Sequence, residues 1–184
     1  MLPLVSRNLW DWIEENEQTF EPPVGNKVIW EDSQYTAMVV RGPNARRDFH
    51  IDPFDEIFYQ LRGAIVVEHL DASKKRVHTV VDEGAMFLVP ALVPHSPHRP
   101  SESWGLVIEI KRQPHQKESL VWLCERCDAK LHEVEMYVAN IETELREAIQ
   151  AFDRNAELRT CRSCGFTQPD KVAPIAPPSA QSGK

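Results

Sequence analysis

EIFYQLRGAIVVEHLDASKKRVHTVVDEGAMFLVP (56–90) contains four short runs, EIFYQL, AIVVEHL, RVHTVV and AMFLVP, broken by stretches such as LDASKK and VDEG. Runs of this length, rich in β-branched and aromatic residues and bounded by turn formers, predict strands. The pattern extends outward to KVIW (27–30) and YTAMVV (35–40) on one side and to GLVIEIK (105–111) on the other, with RGPNARRD and RPSESW as intervening turns. Six or more strands at such spacing predict an all-β chain folded as an antiparallel barrel or jelly roll.

The flanks differ. NLWDWIEENE (8–17) sets Leu9, Trp12 and Ile13 at helical spacing behind Asn8, an N-cap residue type, and predicts a short N-terminal helix. Beyond Pro114 come CERC (124–127), an alternating LHEVEMYV (131–138), a helical stretch from Ile141 to Phe152 and CRSC (161–164). The last residues, Pro169 to Lys184, are rich in Pro, Ala and Ser and predict a disordered tail. The expected organisation is a barrel with its N-terminal helix over 1–115, a C-terminal extension of the same domain over 116–168, and the tail over 169–184.

With 184 residues, 42% of them apolar, the chain can bury one real core. A formal net charge of −7 argues against nucleic acid or anionic membrane as partner and for a small molecule. No apolar run approaches the roughly 18–20 residues that span a bilayer, and MLPLVSRNLWDW lacks the apolar stretch of a signal peptide. The expected compartment is cytoplasmic. Four cysteines in two C-x-x-C pairs then read as metal ligands rather than a disulfide framework.

The sharpest chemical signal is His50 and Glu56 in DFHIDPFDEIFYQLRG, followed after the predicted strands of 56–90 by His95 in LVPHSPHRP. Two imidazoles and a carboxylate make a facial triad that suits iron(II), because it leaves adjacent positions open for a chelating substrate and dioxygen. Asp48 and Asp52 are the candidates to orient a ligand imidazole through its other nitrogen. His98 reads as an exposed loop histidine, with a spare ligand or proton shuttle as the alternative.

These residues resemble the cupin superfamily. His50, Glu56 and Gly63 fall at the spacing of its first motif, and Gly84, Pro90 and His95 at that of its second. Asp52 stands where many cupins have a second histidine, so the resemblance implies a three-ligand site. Leu92 replaces a glycine and Arg99 the usual terminal Asn. An arginine four residues after a ligand and turned into the barrel needs an anion, which the substrate could supply.

RGPNARRDFH, EIFYQLRG, FLVPALVPHSPHRP and GLVIEIKRQP further resemble the 3-hydroxyanthranilate 3,4-dioxygenases in their short bacterial and fungal form, over about Leu9 to Gln168. That resemblance implies a ring-opening dioxygenase taking 3-hydroxyanthranilate and O2 to 2-amino-3-carboxymuconate semialdehyde, which cyclises unaided to quinolinate, in tryptophan degradation or NAD synthesis. It implies that Arg46 and Arg99 bind the substrate carboxylate, with Arg46 also at the dioxygen, and that Glu109 faces the substrate hydroxyl. Glu56 lies beside the substrate, catalytic Fe(II) sits on His50, Glu56 and His95, and the chain is a homodimer. Arg47 competes with Arg46, and strand alternation puts Arg46 on the face of Asp48 and His50.

Cys124 and Cys127, then Cys161 and Cys164 after 33 intervening residues, form two knuckles whose four thiolates suit structural zinc or rubredoxin-type iron. The resemblance favours iron. Two rival readings remain open: another cupin iron dioxygenase, and a non-catalytic ligand-sensing cupin whose zinc-ribbon-like cysteines recruit a partner.

Overall fold

Strand pairing, more than helix packing, organises the molecule. The computed structural model describes residues 4, 6–20, 24–44 and 46–178. A first helix, α1 (Leu9–Asn16), is followed by β1 (Gly25–Val28), β2 (Tyr35–Arg41), β3 (Asp48–Ile51), β4 (Glu56–Arg62), β5 (Ile65–Leu70) and β6 (Arg76–Val81). Then come β7 (Met86–Val89), β8 (His95–His98), β9 (Trp104–Ile110), β10 (Glu118–Leu123), β11 (Lys130–Met136), α2 (Glu144–Arg154) and the short α3 (Ala156–Arg159). Two antiparallel sheets result, ordered β1-β2-β9-β4-β7 and β11-β10-β3-β8-β5-β6. This is the all-β, two-sheet architecture with short terminal helices that the strand pattern predicts.

The core lies between the sheets. Phe58, Val67, Val107, Leu120 and Trp122 point inward from alternate strand positions. Burying a side chain of this size stabilises by about 1.5–3 kcal/mol each. Trp122 stacks on Phe152 with ring centroids 4.6 Å apart, which ties α2 to β10. The opposite face of the first sheet is covered by α1, whose Trp12 and Ile13 join Phe20, Val39 and Trp104 in a second apolar cluster. Asn8 caps that helix as expected, its side chain accepting from the N–H groups of Trp10 at 3.0 Å and Asp11 at 3.4 Å.

Three strands escape the sequence pattern: β3, β8 and β10. β8 reads HSPH, and Pro97 would argue against a strand in the middle of a sheet. Here β3 registers with β8 only at His50 opposite His95, so the missing N–H of Pro97 breaks no ladder on that side. β10 inserts beside β3, with Leu120 opposite His50 and Trp122 opposite Asp48. The segment after residue 115 therefore completes the second sheet. Of the expected tail, Pro169–Pro178 carries no helix or strand, and residues 179–184 lie outside the described residues.

Candidate active site and metal cluster

Backbone register assembles the site. His50 and His95 are direct cross-strand partners, so both imidazoles project from the same face into the space between the sheets. Glu56 opens β4 in the opposite sheet, where it pairs in register with Glu109 of β9. His50 Nδ1 lies 3.2 Å and His95 Nε2 3.1 Å from the same oxygen, Oε1 of Glu56. One ligand atom from each of the three residues lies within 4.8 Å of the others, and all three residues are buried.

The other imidazole nitrogens are held from behind. His95 Nδ1 donates to the Val93 carbonyl at 2.9 Å. His50 Nε2 meets Glu118 Oε2 at 2.7 Å, so the orienting carboxylate comes from β10 rather than from Asp48 or Asp52. Asp48 is engaged by Arg46, and Asp52 by Arg112 and the Phe54 N–H. Burial opposes a proton on His50, yet Glu56 and Glu118 hold its pKa well above the ordinary value. Burial likewise opposes charge on Glu56, and His95 and His50 hold its carboxyl well below the usual range. A field that favours cationic charge between buried carboxylates suits a metal ion, and Glu56 Oε1, buried with no hydrogen-bond donor, is a natural ligand atom.

Beside the triad opens a small cavity. Its polar wall is His50, Glu56, His95, Arg46, Arg99 and Glu109, and Val40, Phe58, Val107, Ile141 and Leu145 supply much of its apolar wall. Arg46, not Arg47, lines it, with Nε donating to Asp48 at 3.0 Å. Arg47 turns to Glu125, 3.3 Å away in the first cysteine knuckle. Arg99 is 1% exposed and donates to Gln60 Oε1 at 3.1 Å, but forms no ion pair with any described carboxylate. Burial, with Arg46 nearby, pushes its pKa down to about 10. A Cβ on Gly105 would lie 2.6 Å from Arg99 Nη1, so only glycine leaves room for this guanidinium. Gly105 and Gln60 lie in GLVIEIKRQP and EIFYQLRG, yet nothing in those stretches ties them to Arg99; strand register sets the two opposite each other beside it.

Burial pushes the Glu109 carboxyl up to about 8; Arg112 pulls it down, while the carboxylates of Glu56 and Asp52 push it up. Its Oε2 is buried without a hydrogen-bond partner. His98, expected in an exposed loop, is instead a buried strand residue whose Nε2 lies 3.5 Å from Glu68, outside the triad cavity.

The four cysteines converge at the far end of β10. Cys124 Sγ lies 3.6 Å from Cys164 Sγ, and Cys127 Sγ 3.6 Å from Cys161 Sγ. That is too long for a disulfide but close to the roughly 3.8 Å edge of a tetrahedron with metal–sulfur bonds near 2.3 Å. The two knuckles share one geometry. Asp128 N–H donates to the Cys124 carbonyl and Gly165 N–H to the Cys161 carbonyl, each at 2.9 Å, and both residues have positive φ. The Cys164 and Ser163 N–H groups help to lower the Cys161 thiol to about 6.

The family model described as 3-hydroxyanthranilic acid dioxygenase matches residues 1–153. A 3-hydroxyanthranilate 3,4-dioxygenase of Bacillus thuringiensis is 48% identical over 169 residues, covering 92% of this chain and 94% of that protein. One from Shewanella woodyi is 42% identical over 176 residues, covering 95% and 92% respectively. Among solved structures, a cupin-2 domain protein from Shewanella frigidimarina aligns with a TM-score of 0.46 at 21% identity, covering 56% of this chain and 93% of that one. With the model match spanning most of the chain and near-full-length relatives above 40% identity, this chain belongs to the 3-hydroxyanthranilic acid dioxygenase family.

Proposed function

We propose that the chain cleaves the ring of 3-hydroxyanthranilate, inserting both atoms of O2 to give 2-amino-3-carboxymuconate semialdehyde. Beyond family membership, the observation that carries the substrate is Arg99: a buried guanidinium with no carboxylate partner among the described residues, opening onto the same cavity as the triad. A buried unpaired cation is costly, and a planar carboxylate on the ligand would relieve it by bidentate hydrogen bonds.

In this reading His50, Glu56 and His95 hold Fe(II), which when bound supplies adjacent open positions for an ortho-aminophenol and for dioxygen. Arg99 and Arg46 fix the substrate carboxylate, which sets the ring's rotation and selects against uncharged catechols. Glu109, with one unpartnered oxygen, takes the phenolic proton. The apolar wall keeps water from this charged cluster, strengthening each electrostatic contact.

The four-cysteine cluster is read as a structural site for iron or zinc, all four positions being filled by sulfur. Cysteines used as ligands suit a reducing cytoplasm, and no helix among the described residues is long and apolar enough to cross a membrane. A homodimer is supported by Met86 and Leu88, 70% and 53% exposed on edge strand β7 beside the exposed Tyr59; light scattering tests it.

Anaerobic loading with Fe(II), then addition of 3-hydroxyanthranilate and air, tests the activity. One O2 consumed per substrate, with the absorbance of the ring-opened product, is the expected result. A protein that binds Fe(II) in the barrel yet consumes no O2 with this substrate overturns the assignment.

A further inference from the structure

Behind the triad lies a guanidinium, within the GLVIEIKRQP stretch, to which the sequence reading assigns no role. Arg112 lies two residues past the end of β9 and its side chain is 3% exposed. It touches three buried carboxylates from three parts of the chain. Nη1 pairs with Asp52, while Nη2 lies 3.0 Å from Glu109 Oε1 and 2.7 Å from Glu118 Oε2. The same Glu118 oxygen meets His50 Nε2 at 2.7 Å, on the side of the ring opposite Glu56. A continuous polar chain therefore runs Glu109, Arg112, Glu118, His50.

We propose that Arg112 and Glu118 are positioning residues that align the metal-binding face and the proton acceptor as one unit. Glu118 accepts the Nε2 proton of His50 and so presents the Nδ1 lone pair toward Glu56 and His95. Arg112 sets the angle of Glu118 and, through the same nitrogen, the angle of Glu109 in the substrate cavity. A planar fork is what the geometry uses, since one guanidinium reaches three carboxylates along different directions. A lysine, a single point of charge on a flexible stem, could not hold all three. The inference rests on reading His50 as a metal ligand and Glu109 as the substrate-facing base.

The test is binding of Co(II) alone, followed by its visible spectrum, in full-length chain whose cysteine site is first filled with Zn(II). Glu118→Gln, close to isosteric, exchanges a charged acceptor for a neutral one and is expected to weaken barrel Co(II) by roughly 10- to 100-fold and to shift its bands, as weakening of an outer hydrogen-bond partner does. Arg112→Gln should produce the same band shift and, in the Fe(II) enzyme, lower kcat more than it raises KM, because Glu109 also loses its anchor. Arg112→Lys should resemble Arg112→Gln.

Wild-type Co(II) affinity and bands in Glu118→Gln and Arg112→Gln, with only thermal stability reduced, would overturn the proposal. Full recovery in Arg112→Lys would do the same by reducing the role to charge. Should Arg112→Gln not fold, Glu118→Gln decides alone. His50→Ala separates the two levels. If it too binds barrel Co(II) normally, the ligand assignment itself fails. If it loses the metal while Glu118→Gln does not, only the positioning role fails.

Discussion

The two candidate metal sites sit near opposite ends of one strand and are built on opposite principles. At the start of β10, Glu118 backs an asymmetric set of two imidazoles and one carboxylate, gathered from both sheets and facing a cavity. Just past its end, Cys124 joins three other thiols in two equivalent knuckles with no coordination position left over. The first arrangement depends on long-range register and leaves room for chemistry. The second depends on local turns and closes on itself. In the proposed reading, similar numbers of donor atoms serve different ends: an open, electrically tuned face for reaction, and a saturated one for stability.

Substitution should separate them. The largest expected effect is His50→Ala or Glu56→Ala, which removes barrel metal and turnover to background while metal analysis still finds the cysteine-bound ion. Next is Arg99→Ala: losing one partner of a buried charged pair costs about 2–5 kcal/mol, or roughly 30-fold and upward in kcat/KM. Steady-state kinetics against 3-hydroxyanthranilate measures it, and a neutral analogue lacking the carboxylate should lose its disadvantage in that variant.

Cys124→Ser should behave in the converse way. It should lower Tm by roughly 10 °C or more in a calorimetric scan, yet leave turnover per barrel iron close to wild type in what remains folded. A loss of turnover per iron equal to that of His50→Ala would erase the distinction between the sites.

The smallest expected effect is in pH dependence. Glu109 stands raised to about 8 from an ordinary 4.5. As a base it must be ionised, so kcat/KM should rise with pH through a limb whose midpoint lies at or below about 8, and Glu109→Gln should flatten that limb. In the metal-free protein the native carboxyl keeps a proton that the unfolded chain releases near 4.5, so the Glu109 contribution to stability falls as pH rises from 4.5 to 8. Chemical denaturation of the metal-free protein across that window, compared with Glu109→Gln, checks the sign.

Much of this was legible in the chain because the informative residues lie close together. β2, β4, β5 and β6 announce themselves as short apolar runs between turn formers, and His50, Glu56 and His95 stand at the spacing of the two cupin motifs. The rest was not, for physical reasons. β8 carries a proline whose cost depends on a neighbour that pairs at one residue only. Glu118 lies 68 positions from His50, and nothing local marks a glutamate as the partner of that ring. Arg112 and Gly105 draw their importance from register between strands, which periodicity does not encode. His98 misled because PHSPHRP has the composition of a loop, whereas its ring is buried against Glu68.

The insertion of β10 between β3 and β11 bears on how such a chain could be recombined with others. Composition changes near residue 115, which draws a seam in the sequence ahead of its cysteine-bearing end. Cutting there would remove Glu118 from behind His50 and Trp122 from the core, so the seam visible in composition is not a viable crossover point. A functional chimera would have to exchange β3, β10 and both knuckles together, because inheritance of the catalytic face and of the sulfur cluster is linked through one shared strand.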